Sequence, residues 1–365
     1  MGYKLSIAIP TWNRLSCLKE NIGVIIKQVE SFPDGVIELV ISDNASDDGT
    51  TKYLRELQTL YSFIHVHFCS KNFGANTNFY NVLKNSKGDY IWLLGDDDMI
   101  VEGAISKILT DLNKYLPDVI VGGASNDKTL QRVYLKDVID YQLTNKAIFN
   151  KYNPIELVGK MSVLIFSRVR LFEVLDDGMK LINELVSPWP HLIWFLKIMA
   201  KGHILLILPY STNYIVEKHR FNNLQDAKER LALLFVDYSN VLKLLSTEFD
   251  DSTLNALKNR IVKGRIAELI KNIAYASFLN GYYETLFDSF KHFGAFFTLK
   301  NKFKYFLFYV LPLFLPVSFR LWLFKLPLKL KLNIPFYRDF INNLEEVKKL
   351  IKICDDRSIF NRSNL

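Results

Sequence analysis

Over its first hundred residues the chain alternates between two hydrophobic periods. KLSIAIP, IELVISD, FIHVHFC and YIWLLGDDD are short apolar runs rich in branched and aromatic residues. LSCLKENIGVIIKQVESF, DDGTTKYLRELQTLY and ANTNFYNVLKNSK, which lie between them, space their apolar residues as helices do. Strand then helix at this rhythm predicts an α/β fold with a mostly parallel sheet flanked by helices, in which ligands bind at the carboxyl ends of the strands. Each strand ends in polar residues: Pro10-Thr11-Trp12-Asn13, Ser42-Asp43-Asn44, Ser70-Lys71-Asn72-Phe73-Gly74 and Gly95-Asp96-Asp97-Asp98. Turn chemistry alone explains any one of these endings, but four converging on one rim read as a site.

The fourth ending is the most demanding. Three consecutive carboxylates repel one another unless they are well solvated or something positive binds them, and a divalent cation is the natural candidate. The alternative is that the triplet caps a following helix, MIVEGAISKIL, since acidic residues stabilise a helix start.

Beyond Leu116 the pattern weakens. PDVIVGGAS, MSVLIFSR and HILLILPYSTNYIV are further strand candidates, with a helix over roughly 190–201, and residues 223–292 are mostly helical by spacing. The final part changes character. Between Ser289 and Arg338 there is no Asp or Glu but nine Lys and Arg, more than the chain's net charge of +8. Its longest charge-free run, Tyr305 to Phe319, has fifteen residues and two prolines, short of the ~20 that span a bilayer. Aromatic, aliphatic and basic residues interleaved in this way predict a segment lying on an anionic membrane surface. A nucleic-acid partner would call for basic residues among polar ones and is not expected. The hydrophobic content of 49% supports a large core. The three cysteines, Cys17, Cys69 and Cys354, form no CxxC or Cys/His cluster, so disulfides and structural zinc are not expected and a reducing, cytoplasmic setting is. The first strand begins within ten residues of Met1, leaving no room for a signal-peptide apolar region.

Taken together, SIAIPTWNR, VISDNASDDGT and NFGANTNFYNVLKNSKGDYIWLLGDDD resemble the N-terminal half of a family 2 glycosyltransferase of the GT-A fold, and WLLGDDD resembles the abequosyltransferase-like subgroup that builds bacterial surface polysaccharides. The resemblance covers residues 4–222. It implies a GT-A domain over 1–222, to which helical spacing adds an extension over 223–292 and the basic, aromatic composition a membrane-associating region over 293–365. The implied activity is an inverting transfer from a UDP- or CDP-sugar to a glycan, on a lipid-linked precursor of O-antigen, capsule or other surface polysaccharide. The implied location is the cytoplasmic face of the cell membrane, with peripheral attachment.

In the residues, the resemblance makes Asp98 the direct ligand of a Mn2+ or Mg2+ ion and Asp96 a metal or ribose contact, with Asp97 on the donor side. Gly95 stands where many members carry the first Asp of the element, so the register within the triplet stays open. Asp43 corresponds to the carboxylate against the nucleotide base, beside Pro10, Thr11 and Asn13, and Asn44 replaces the family's second acidic residue. Lys71 and Asn72 match the basic residue and Asn of a turn that approaches ribose or phosphate. For Asp48-Gly49-Thr50 a plain helix entry is the better reading. The family's catalytic base is a carboxylate at a helix start. Here His191 occupies that position and Pro190 the one before it, so His191 is the candidate base, with Glu184 and Asp177 as substitutes. In Val216-Glu-Lys-His-Arg-Phe221, His219 would complete the metal shell and Arg220 would neutralise phosphate. Two alternatives stand beside this reading. A nucleotidylyltransferase lacks support because residues 6–20 contain no Gly-rich phosphate loop, and a catalytically inactive donor-binding or scaffold protein would follow if His191 marks a lost base.

Overall fold

The computed structural model describes residues 2–125, 138–185, 189–215, 241 and 248–257. The chain begins β1 (Leu5–Thr11), α1 (Leu15–Val29), β2 (Ile37–Asp43), α2 (Thr50–Leu60), β3 (Ile64–Phe68), α3 (Ala75–Asn85) and β4 (Tyr90–Leu93), as its periodicity predicts. It continues β5 (Asp98–Ile100), α4 (Ala104–Tyr115), β6 (Val119–Ser125), β7 (Gln142–Thr144), α5 (Pro154–Val158), β8 (Leu164–Ser167), α6 (Arg168–Phe172), α7 (Leu175–Leu185), α8 (Pro190–Ala200) and β9 (Leu205–Ile215).

The strands form one sheet in the order β3-β2-β1-β4-β8-β6-β9-β5, with β7 added on β9. The first four are parallel, as expected. The second half is mixed: β8 runs antiparallel to β4 and β6, while β6 and β9 are parallel. Every residue of β1 and β2 is buried, the mark of strands covered on both faces. On one face Leu5, Ile7, Ile9, Leu39 and Ile41 join a core with Leu18, Ile22 and Ile25 of α1 and Ile105 and Ile108 of α4, and α3 packs on β1 and β2. Each such side chain contributes about 1.5–3 kcal/mol on burial.

One buried carboxylate, not anticipated from the sequence, helps fix the register that builds the rim. Glu38, fully buried, accepts from Ser6 Oγ (2.5 Å), Lys87 N (2.6 Å) and Gly88 N (3.1 Å), tying β1, β2 and the turn into β4 together. Gly88 is required there, because a Cβ would stand 2.6 Å from Ser6 N. Farther along, Gly178 lets α7 close on α8: a Cβ would meet Trp194 at 2.4 Å, and Trp194 Nε1 donates to Leu175 O (3.2 Å).

The acidic triplet does not cap a helix. Asp98 opens β5, and α4 begins only at Ala104, behind Gly103 with φ 71°. The region beyond residue 257 lies outside the described residues, including the expected membrane-associating segment.

Candidate active site

Four strand ends meet where the sheet is parallel. At the end of β1, the backbone oxygen of Thr11 accepts from Asn44 N (3.0 Å) and Asn78 Nδ2 (3.1 Å). Its hydroxyl is left to donate to Asp96 Oδ2 at 2.8 Å. Past β4, Leu94 N bonds to Ala8 O (2.9 Å), and Gly95 is held on both sides: its oxygen accepts from buried Asn21 Nδ2 (3.1 Å) and its N–H donates to Ser162 Oγ (2.9 Å). Ser162 Oγ in turn donates to Asp98 Oδ2 at 2.5 Å. No local pattern singles out Ser162. It belongs to a 3-10 turn, Met161–Val163, brought in by β8, which pairs with β4 from the far side of the sheet.

Gly95 also has a steric reason to be glycine. A Cβ there would stand 3.0 Å from Met161 Cε and 3.3 Å from both Asp97 Oδ1 and Asp98 Oδ2. The two carboxylates thus converge over a residue without a side chain. A first Asp at position 95 would crowd them, which favours placing the acidic element on Asp96–Asp98.

Burial disfavours the charged form of two carboxylates on this rim. Burial pushes the Asp96 carboxyl up to about 6; the Thr11 hydroxyl and Arg14 oppose this, and the charges of Asp97 and Asp98 add to it. Burial likewise raises Asp98, against the Ser162 bond and Lys160, with Asp97 adding to the rise. Crowded carboxylates whose ionised forms are disfavoured are what a hard divalent cation relieves, and oxygen donors suit Mg2+ and Mn2+. Among the described residues no group of three or more His, Cys, Asp and Glu side chains is placed to enclose an ion. Two carboxylates on one rim are oxygen donors of the kind a divalent ion shares with phosphate and water.

The other expected residues are placed as follows. Pro10 is buried within β1, paired with Ser42. Asp43 is fully buried and accepts from Ser46 N (3.1 Å) and Thr51 Oγ1 (2.5 Å), so it shapes its own turn. Asn13, at φ 53°, faces the 46–48 loop: its Nδ2 donates to Asp47 Oδ1 (2.8 Å) and its Oδ1 accepts from Asp47 N (2.9 Å). Asp48 accepts from Thr50 N at the start of α2, in keeping with a helix entry, and also from Leu15 N at the start of α1. Lys71 and Asn72 are exposed, with Lys71 Nζ 5.3 Å from the centre of the Phe73 ring. Trp12 and Phe73, 50% and 44% exposed, stand on the same strand-end loops.

His191 lies in the first turn of α8, packed against α5. Its Nε2 donates to Val158 O (3.1 Å), which leaves Nδ1 as the bare acceptor, without a partner among the described residues. Burial lowers its pKa to about 4, against the Val158 bond. Glu184 and Asp177 are exposed on α7, Asp177 paired with Lys180 (3.2 Å). His219 and Arg220 lie outside the described residues.

Comparison with known proteins bears on the fold and the family. Residues 6–169 match the glycosyl transferase family 2 model. The chain is 36% identical over 110 residues to abequosyltransferase RfbV of Salmonella typhimurium, covering 30% of this chain and 32% of that protein. It is 34% identical over 113 residues to the GalNAc(5)-diNAcBac-PP-undecaprenol beta-1,3-glucosyltransferase of Campylobacter jejuni, covering 30% and 35%. The chain thus spans about a third of the length of these curated relatives. Among solved structures it resembles S. aureus TarS in complex with UDP-GlcNAc, with a TM-score of 0.59, 13% identity and 80% of each chain covered. The mannosyltransferase PcManGT of Pyrobaculum calidifontis, in complex with GDP-Man and Mn2+, gives a TM-score of 0.50 at 14% identity, covering 81% and 86%. At these identities the likeness establishes the fold, which is GT-A.

Proposed function

We propose that the chain is a metal-dependent inverting glycosyltransferase that moves a sugar from a UDP- or CDP-sugar to a glycan, on a lipid-linked precursor of a bacterial surface polysaccharide. The observation that carries the reading is the acidic rim, in which Thr11 orients Asp96 and Ser162 orients Asp98 at the carboxyl ends of parallel strands. The relatives support the substrate class: one is named for abequosyl transfer, and another for an undecaprenol-diphosphate-linked acceptor. The neighbours captured with UDP-GlcNAc and with GDP-Man and Mn2+ support a nucleotide-sugar donor and a divalent ion.

In this reading Asp98 and Asp96 hold Mn2+ or Mg2+, which when bound stabilises the negative charge developing on the leaving diphosphate. Asp43, Pro10, Thr11, Asn13 and Asp97 surround the nucleotide, and Lys71 and Asn72 approach its ribose or phosphate. By the resemblance, Arg220 would neutralise phosphate and His219 would be a further metal ligand; both lie outside the described residues. An acceptor hydroxyl attacks the anomeric carbon from the face opposite the leaving group, and its proton passes to a base. His191 is the base candidate through Nδ1, which is buried and has no partner among the described residues, so an acceptor hydroxyl would have to reach it there. Glu184 is the substitute.

The domain division proposed is a GT-A domain over 1–222, a helical extension over 223–292 and a membrane-associating region over 293–365, placing the enzyme at the cytoplasmic face of the membrane. No helix among the described residues is long and apolar enough to cross a bilayer. The burial of His191 also favours a second reading, a donor-binding protein without transfer activity. Release of nucleoside diphosphate from a UDP- or CDP-sugar panel with Mn2+ separates the two. Turnover supports the enzyme, whereas donor binding with no turnover, with or without acceptor lipid, supports the second reading.

A further inference from the structure

Asn44 stands directly after β2 and is 2% exposed. Its side chain reaches across to the loop between β3 and α3. Asn44 Oδ1 accepts from Phe73 N (3.0 Å), while Nδ2 donates to Asn72 Oδ1 (2.8 Å) and Gly74 O (3.3 Å). Asn72 Oδ1 also accepts from Gly74 N (2.8 Å). The orientation of both amides is forced by the backbone: Phe73 N requires an acceptor, Gly74 O a donor and Gly74 N an acceptor. Gly74 itself, at φ 85° and ψ 161°, holds a conformation that other residues avoid.

We infer that Asn44 is a positioning residue for the donor, its amide setting the 71–74 loop that offers Lys71 and Asn72 to the nucleotide. The inference rests on the donor reading above. It also explains why this chain has an amide where the family has a second acidic residue. A carboxylate at 44 would keep the bond from Phe73 N but turn an acceptor toward two acceptors, Asn72 Oδ1 and Gly74 O. Asn72 could flip to donate, but Gly74 N would then lose its partner. An aspartate would also set a second negative charge beside buried Asp43, on the side where an anionic nucleotide arrives.

The test is a double-mutant cycle of Asn44→Asp and Lys71→Ala, read by calorimetry with UDP, CDP, GDP and dTDP, each in the presence of Mn2+, and by amide exchange of the 71–74 segment. Asn44→Asp is expected to speed exchange of that segment and to weaken the tightest-binding nucleotide by roughly tenfold, the effect of one unmet buried hydrogen bond. In the Lys71→Ala background the same substitution should weaken binding much less, because Asn44 acts through the loop. Asn44→Ser, smaller and uncharged, supplies the same cycle if Asn44→Asp does not fold. Unchanged affinity, or losses that add fully in the double variant, would overturn the inference alone. A wild-type protein that binds none of the four nucleotides would overturn the donor reading and this inference with it.

Discussion

Ser162 links the fold to the acidic rim through a single hydroxyl, so Ser162→Ala isolates that link. The hydroxyl is buried, accepts from Gly95 N at 2.9 Å and donates to Asp98 Oδ2 at 2.5 Å. Its removal leaves Gly95 N without an acceptor, at a cost of about 1–3 kcal/mol, and takes a charge-assisted bond worth roughly 1.5–3 kcal/mol from Asp98. The first loss should appear as a lower unfolding free energy in metal-free denaturation. The second acts on ionisation: the bond holds the Asp98 pKa down against its burial, so without it the carboxyl rises further. A proton then competes more strongly with any cation. Metal-dependent nucleotide affinity should fall by roughly tenfold or more, since about 1.4 kcal/mol is a factor of ten, and by more at the lower of two pH values. Calorimetry with Mn2+ and nucleotide at both pH values reads the effect. An equal loss at both pH values would show that Ser162 supports the fold without tuning Asp98, and no loss in either assay would refute the reasoning altogether.

His191→Ala should lower turnover by about a hundredfold or more with donor affinity little changed, the usual share of a positioned base; if Glu184→Gln is the inactive variant instead, the role belongs to Glu184. His191 also makes a stability prediction. Its folded pKa of about 4 lies below the unfolded value of 6.5, so the unfolded chain binds a proton that the folded one refuses. Stability present above pH 6.5 should therefore fall by about 3 kcal/mol as pH drops toward 4, and His191→Gln should lose that slope in denaturation measured across the range. Full-length protein should float with anionic vesicles, bind less in high salt and lose binding when residues 289–365 are deleted; a protein that stays unbound at low salt would remove the membrane proposal.

The parallel half of the sheet was legible because each strand and helix there carries its own period, and the polar strand ends mark one rim. The mixed half was less so: β8 is four residues long, and its antiparallel pairing with β4 is set by tertiary packing that no local pattern encodes. That pairing brings in Ser162, so the residue bonded most closely to Asp98 was the one the sequence hid. Asn21, Asn78 and Glu38 were hidden for a related reason, since a polar residue inside an apolar pattern reads as noise until its backbone partner is known. Asn13 was legible as a strand-end residue, but its partners, Ser46 and Asp47, depend on how two loops meet.

The central claim is that the Asp96–Asp98 rim binds a nucleotide through a divalent ion. Thermal unfolding of the wild-type protein and Asp98→Asn with UDP, CDP, GDP and dTDP, each with and without Mn2+, tests it most directly, because a ligand that binds only the folded state raises the midpoint. The account predicts that UDP or CDP raises the wild-type midpoint, more with Mn2+ than without, and that Asp98→Asn keeps its fold but loses the Mn2+-dependent part. A wild-type midpoint that no nucleotide moves in the presence of Mn2+, or an Asp98→Asn variant that responds as the wild type does, would contradict it.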